Sequence, residues 1–317
     1  MKFWKLYIVV IMSALGCQDK PVTENTPQKV VIAHRGASGY LPEHTLASKA
    51  MAYAMHPDYL EQDVVLSKDD VPIVIHDIHL DAVTNVAAVY PERLREDGRY
   101  YVIDFTFEEL KNLQVYERFD IETGKTVFPA RFPLRQSRFG LHSLSEEIEM
   151  IQGLNKSTGR NMGIYPEIKE PAFHLKEGKD ISKIVLETLA KYGYTSRKDA
   201  CVLQCFDASE LRRIRTELKS ELFLVQLMEF EEEIASIPKF AEYANGLGPW
   251  IGLLEDGRLL SLAKENDLAV HAYTLRKDQL GDAPSFEALL EKVLFQQCVD
   301  GVFSDHPDAV LQFLKNR

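Results

Sequence analysis

The chain has 317 residues, of which 45% are apolar, 27% charged and 10% aromatic. That composition excludes disordered, collagen-like and low-complexity classes, and a chain of this length can bury a large core without disulfide staples. With 37 basic against 48 acidic side chains the formal net charge is -11, so no nucleic-acid ligand is expected, because phosphate neutralisation needs clustered Lys and Arg. A small anion in a local basic pocket, or a cation between carboxylates, is compatible with it. Length alone fits two domains, or one α/β barrel of about 250 residues with an insertion.

Taken in chain order, Lys2 and Lys5 precede an apolar run from Leu6 to Leu15. The run is too short for a bilayer-spanning helix, which needs roughly 20 residues, and matches the apolar segment of a leader peptide. It ends Ala14-Leu15-Gly16-Cys17 and turns polar at Gln18-Asp19-Lys20. This resembles a bacterial lipoprotein signal, except for Ala14 where Leu is usual. The expectation is a leader over 1–16, acylation of Cys17, a polar tether over 17–29, and a periplasmic or cell-envelope location with membrane attachment through the N-terminal lipid only. The plainer alternative is an ordinary secretory leader with a chance cysteine. Cys201, Cys205 and Cys298 remain. Cys201 and Cys205 share one predicted strand and would lie about 13 Å apart, too far to bridge, so free thiols are expected.

From residue 30 onward, short apolar runs alternate with amphipathic stretches. Strands are predicted at Val30–Ala33, Tyr59–Leu66, Pro72–His76, Gly163–Ile168, Ala200–Phe206, Leu222–Met228, Ala269–Leu275 and Gly301–Phe303, with a short candidate near Leu247. Helices are predicted at 45–55, 144–156, 180–192, 207–219, 256–266 and 284–296. This rhythm implies a mainly parallel sheet with right-handed crossovers. The strand count is eight or nine, so one strand is misassigned, and the link from Leu66 to Pro72 is too short for a crossover helix. No Gly-rich dinucleotide fingerprint follows the first strand. The fold expected is therefore a somewhat irregular (β/α)8 TIM barrel rather than a doubly wound sheet. Residues 78–142 break the rhythm and leave directly after His76-Asp77, at a strand's functional end. They are too long for an idle loop and are expected to form a small inserted subdomain after the third strand.

Chemistry-bearing residues cluster at strand ends. Glu61 and Asp63 alternate on one strand face, within reach of one ion. Two such carboxylates repel unless a hard cation such as Ca²⁺ or Mg²⁺ joins them. A solvated strand end is the bland reading of that pair alone. Ala33-His34-Arg35-Gly36 and Ile75-His76-Asp77 each end a predicted strand with a histidine, and Arg35 suits a bidentate grip on phosphate. Tyr165-Pro166-Glu167-Ile168-Lys169 adds a third carboxylate, Glu167, and a second cation, Lys169. Three acidic ligands, two imidazoles, one Arg and one Lys make a coherent kit for phosphodiester cleavage.

The stretch from His34 through Gly36, Pro42, Glu43, His44 and Thr45 resembles the signature of the glycerophosphodiester phosphodiesterase family. Tyr59–Val64, His76-Asp77, Pro166–Lys169 and Gly301–Asp305 follow in the family's order, and Arg99-Tyr100-Tyr101 resembles its periplasmic branch. The resemblance runs from about residue 30 to the end. It implies a TIM barrel with a small insertion after the third strand. It also implies one divalent cation, commonly Ca²⁺ in this branch rather than Mg²⁺, held by Glu61, Asp63 and Glu167. His34 and His76 become the acid–base pair, with Arg35 and Lys169 near the phosphate. Glu43 is expected to orient the ligands or the substrate; a simple loop carboxylate is its other reading. His44, where many relatives carry Asn, is read as a helix-entry residue. Phe206, Trp250 and Tyr273 are candidates for the pocket's apolar wall, against plain barrel core.

The function expected is hydrolysis of small glycerophosphodiesters to glycerol 3-phosphate and an alcohol, through a cyclic phosphate with direct attack by water as the competing route, and with indifference to the head group. A lysophospholipase D or phosphoinositide-type phospholipase C on a similar barrel, and a non-catalytic surface lipoprotein, are the rivals. The sequence leaves the oligomeric state open.

Overall fold

The computed structural model describes residues 28–317. The leader, Cys17 and all but the last two positions of the tether lie outside the described residues. Nine strands follow in order: β1 Val30–Ala33, β2 Tyr59–Leu66, β3 Pro72–Val74, β4 Gly163–Ile168, β5 Val202–Cys205, β6 Phe223–Met228, β7 Gly246–Pro249, β8 Ala269–Leu275 and β9 Gly301–Ser304. Eight of them form a closed parallel ring, running β1-β9-β8-β7-β6-β5-β4-β2 and shut by pairing of β1 with β2. The architecture is a (β/α)8 TIM barrel.

β3 resolves the excess in the strand count. It pairs antiparallel with β2, setting Val64 opposite Val74 and Leu66 opposite Pro72. Its tight link, closed by the Ser67 amide donating to Val71 O at 3.0 Å, leaves no room for a crossover, so β3 stays outside the ring. The short candidate near Leu247 is a true stave, β7. Its Gly-Leu-Gly-Pro composition reads as a loop because the glycines serve close strand approach. A Cβ at Gly248 would meet Leu227 Cδ2 at 2.6 Å, and one at Gly246 would meet Ala269 O at 2.9 Å.

The staves are almost wholly buried, which is why they read as continuous apolar runs. Helices cover their outer faces and are bounded by local signals. The helix Leu144–Thr158 opens with a reciprocal Ser143–Glu146 capping box and closes on Gly159, whose φ of 71° is left-handed. Inside the ring, Ile32, Tyr165, Val202, Val225 and Phe303 form a plug, with Tyr165 hydroxyl and His271 Nδ1 at 2.9 Å. This plug is the floor beneath the strand ends. The chain after β3 builds a separate apolar cluster, including Leu80, Val86, Phe105, Leu110 and Val115, against Val65 and Ile73. Tyr101 of this insertion stacks on Phe173 at 5.4 Å, beyond β4. Cys201 and Cys205 are buried free thiols, and Cys298 is a free thiol at the surface. Among the described residues, no helix is long and apolar enough to cross a membrane.

Candidate active site

Register brings the carboxylates together. Across the C-terminal strand ends, Asp63 of β2 stands opposite Glu167 of β4, and Glu167 opposite Gln204 of β5. Glu61, two residues before Asp63, faces the same way. Each of Glu61, Asp63 and Glu167 is buried and offers an oxygen lying within 4.8 Å of the others'. Asp63 Oδ1 and Gln204 Oε1 have no hydrogen-bond partner among the described residues although both are buried. An orphaned carboxylate oxygen inside an all-oxygen donor set fits a hard divalent cation. The electrostatics agree. Burial, together with Asp63 and Glu167, holds the Glu61 carboxyl well above the usual carboxylate range. Burial pushes Glu167 up to about 8, more than Lys169 offsets. For Asp63, burial is outweighed by Lys169, His44 and His76, which hold it well below its ordinary value. A divalent ion would satisfy all three carboxylates at once.

His34 follows β1 and is buried. Its Nδ1 lies 2.5 Å from Asp305 Oδ1, just after β9, and its Nε2 lies 3.8 Å from Glu61 Oε2. The next residues turn sharply, with Arg35 at φ 56° and Gly36 at φ 87°. A Cβ at Gly36 would come within 2.7 Å of Ser48 Oγ, so only glycine allows the turn that aims both side chains inward. The Arg35 amide donates to Glu61 Oε2 at 2.8 Å, and its guanidinium donates to Glu43 at 3.0 Å.

His76 lies two residues beyond β3. Its Nδ1 is 2.5 Å from Asp77 Oδ1, and its Nε2 is 3.4 Å from Lys169 Nζ. Lys169 also contacts Glu167 at 2.7 Å. A carboxylate at each Nδ1 selects the tautomer that leaves Nε2 as an acceptor facing the cavity. Burial lowers both histidines to about 4, against the pull of Asp305 on His34 and with the help of Arg35 and Lys169 at His76. Burial thus favours the neutral form of both imidazoles before substrate binds.

A cavity of about 110 Å³ joins these groups, lined by both histidines, Arg35, Lys169, the three carboxylates, Phe206 and Tyr273. Trp250 is 49% exposed and does not line it. Glu43 pairs with Arg35 at 3.0 Å on one side and Arg118 at 2.7 Å on the other.

Sequence reasoning missed several groups, among them Arg276, which donates to Asp305 at 2.8 Å. His44 is buried and its Nε2 lies 2.7 Å from Asp63 Oδ2, so this helix-entry residue also holds a carboxylate of the triad. Asp77 and Asp305 anchor the two imidazoles; each sits in a quoted motif, and adjacency to His76 was a usable signal for Asp77. Arg118 and Arg131 come from the insertion. Arg118 donates to Asp77 at 2.6 Å, and Arg131 donates to Asp305 at 2.7 Å. No pattern in the sequence pointed to either arginine.

Comparison with known proteins bears on the family and the fold. The profile of the glycerophosphoryl diester phosphodiesterase family matches residues 34–309. A Haemophilus influenzae glycerophosphodiester phosphodiesterase is 43% identical, across 92% of this chain and 92% of that protein. One from Treponema pallidum is 39% identical, across 90% and 92%. The solved structure of an Oleispira antarctica phosphodiesterase, in complex with the product sn-glycerol-3-phosphate, shares the fold at a TM-score of 0.64 and 23% identity, covering 90% of this chain and 96% of that one. With the profile spanning nearly the whole barrel and two relatives matched over almost their full length, the chain belongs to the glycerophosphoryl diester phosphodiesterase family.

Proposed function

We propose that this enzyme, a glycerophosphodiester phosphodiesterase, cleaves small deacylated phospholipid esters such as glycerophosphocholine and glycerophosphoethanolamine by histidine acid–base catalysis beside a divalent cation. The observation that carries the reading is the pair of carboxylate-anchored imidazoles, both turning Nε2 toward the cavity that holds the acidic triad. Glu61, Asp63 and Glu167 would hold the ion, Ca²⁺ before Mg²⁺. When bound, it would stabilise negative charge developing on the phosphoryl oxygens.

This chain's own residues do the rest. Arg35 and Lys169 draw in and orient the phosphodiester anion, whose charge in turn raises the pKa of the nearby imidazoles. One imidazole Nε2 accepts the proton of the glycerol hydroxyl adjacent to the ester as that oxygen attacks phosphorus. The other, once the bound anion has let it take up a proton on Nε2, donates that proton to the departing alcohol oxygen. A cyclic phosphate forms, and water opens it with the two imidazoles exchanging roles, giving glycerol 3-phosphate. Intramolecular attack gains from proximity. A substrate lacking the free hydroxyl is the discriminating probe, since normal turnover of it would sink the cyclic route.

The test is release of glycerol 3-phosphate from glycerophosphocholine with and without chelator. Activity should vanish on chelation, return with Ca²⁺ or Mg²⁺, and be lost in His34→Ala and His76→Ala. Turnover surviving thorough chelation contradicts the metal assignment. Acylation of Cys17 would tether the enzyme to a membrane of the cell envelope; membrane fractionation that is unchanged in Cys17→Ser argues against it.

A further inference from the structure

The catalytic cavity opens sideways into a larger one of about 520 Å³, and the two share His76, Glu167, Lys169, Phe206 and Tyr273. The larger cavity is further lined by Phe230 and the carboxylates Glu170, Asp207, Glu229 and Glu233. Phe206 and Phe230 leave 37% and 57% of their surface exposed. The Phe206 and Tyr273 rings meet edge-on, with centroids 6.0 Å apart and planes at 85°, and so make an aromatic corner. That corner is pinned by the Tyr273 hydroxyl, which donates to Met228 O at 3.0 Å. The loop bearing Glu229 and Phe230 is pinned too, because Glu233 accepts both of their amides at 2.8 and 2.7 Å. Lys169 is the one Lys or Arg in this lining; Glu167 engages it, and its ammonium lies over one face of Phe206 at 5.7 Å, so of the two phenyl rings Phe230 is the one that no Lys or Arg of this lining covers.

The groove on the other side of the imidazoles has the opposite character. It measures about 240 Å³ and is lined by Arg35, Arg118, Arg131 and Arg276 against the carboxylates Glu43 and Asp305. The site is thus electrically polar: acidic and aromatic on one flank, guanidinium-rich on the other.

We propose that the acidic, aromatic groove is the head-group subsite and that it selects cationic head groups of the quaternary-ammonium type over neutral ones. The proposal rests on the phosphodiesterase reading above and narrows it. A quaternary ammonium has no N–H to donate, so aromatic faces and nearby carboxylate charge are what can recognise it. A cation in this groove also sends the glycerol end toward the arginine-lined flank, where carboxylates and guanidinium groups can meet its hydroxyls. The groove adds recognition of the head group's charge to whatever the leaving alcohol's own acidity contributes.

The experiment compares kcat/KM for glycerophosphocholine with that for its tert-butyl isostere, in which carbon replaces the charged nitrogen. Shape is held constant; because the ammonium also makes the alcohol a better leaving group, the change of the ratio in the groove variants is what reads the subsite. Wild type should prefer the charged ester by about tenfold. Glu229→Gln and Phe230→Leu should each move that ratio toward one, the first by removing charge and the second by removing a π-face while keeping bulk. Equal kcat/KM for the two esters in wild type, or a ratio untouched by both variants, overturns the subsite. Failure to cleave either ester counts against the phosphodiesterase reading instead. In that case choline itself, titrated into the full chain by NMR beside its tert-butyl alcohol analogue, still decides: selective choline binding lost in Glu229→Gln upholds the subsite, and equal binding overturns it.

Discussion

Behind β2, away from the cavity, Lys49 and Glu147 form an ion pair at 3.0 Å with both side chains fully buried. Lys49 Nζ also donates to the carbonyl of Glu61, on the strand that carries two of the three acidic residues. Glu147 is further held by Gln62 Nε2 at 2.8 Å and by His142 Nε2 at 2.7 Å, and Gln62 accepts the Tyr165 amide at 3.1 Å. One polar network therefore ties two helices to β2 and β4. Lys49→Met keeps the bulk of the side chain and removes the ammonium. It strands a buried carboxylate and leaves the Glu61 carbonyl without its donor. Breaking a buried pair from one side costs about 3–5 kcal/mol. For about 290 ordered residues, at roughly 2.1 cal/mol/K per residue, that lowers Tm by roughly 5–8 °C. Urea unfolding of the wild type, Lys49→Met, Glu147→Gln and the double variant supplies the cycle. The double variant should be more stable than the sum of the two single losses predicts, by about 1–3 kcal/mol. A loss below about 1 kcal/mol in Lys49→Met, or strict additivity, would refute the claim that this pair braces the site.

Other consequences follow from the same geometry. Burial is outweighed at Glu147 by Lys49 and His142, which lower its pKa from 4.5 to about 2. Its stabilisation is thus fully present above pH 4.5 and fades as pH falls toward 2, worth about 3 kcal/mol in all; acid unfolding of Glu147→Gln should lack that component. Because Glu167 titrates near 8 without an ion, cation binding at neutral pH should release protons and tighten as pH rises to that value. Calorimetry in two buffers of different ionisation enthalpy reads this, and a buffer-independent heat would contradict it. Arg131→Ala should lower kcat by about 10–100-fold with less change in KM, because Asp305 loses one of the two guanidinium groups that steady it beneath His34. Arg131→Lys or added guanidinium should restore part of the rate, whereas a purely structural role predicts no such rescue.

Much of this protein is legible without coordinates. The barrel class follows from alternating apolar runs and amphipathic helices. Glu61, Asp63, Glu167, His34 and His76 can be placed at strand ends because period-two alternation and strand ends are local properties of the chain, while their grouping as one site was implied by the family resemblance. Three things are not local. Which strand stands outside the ring depends on whether a link of a few residues can house a crossover, and on whether glycine-rich β7 finds neighbours close enough to exclude a Cβ. The partners of the histidines depend on closure: Asp305 reaches His34 only because the last strand pairs with the first. The arginines of the insertion enter last, since Arg118 and Arg131 lie in irregular chain whose path is set by packing rather than by periodicity. Sequence by itself determined the chemical groups and the staves that bear them. Tertiary structure decided which groups meet, because burial and ring closure alone place residues hundreds of positions apart within hydrogen-bond distance.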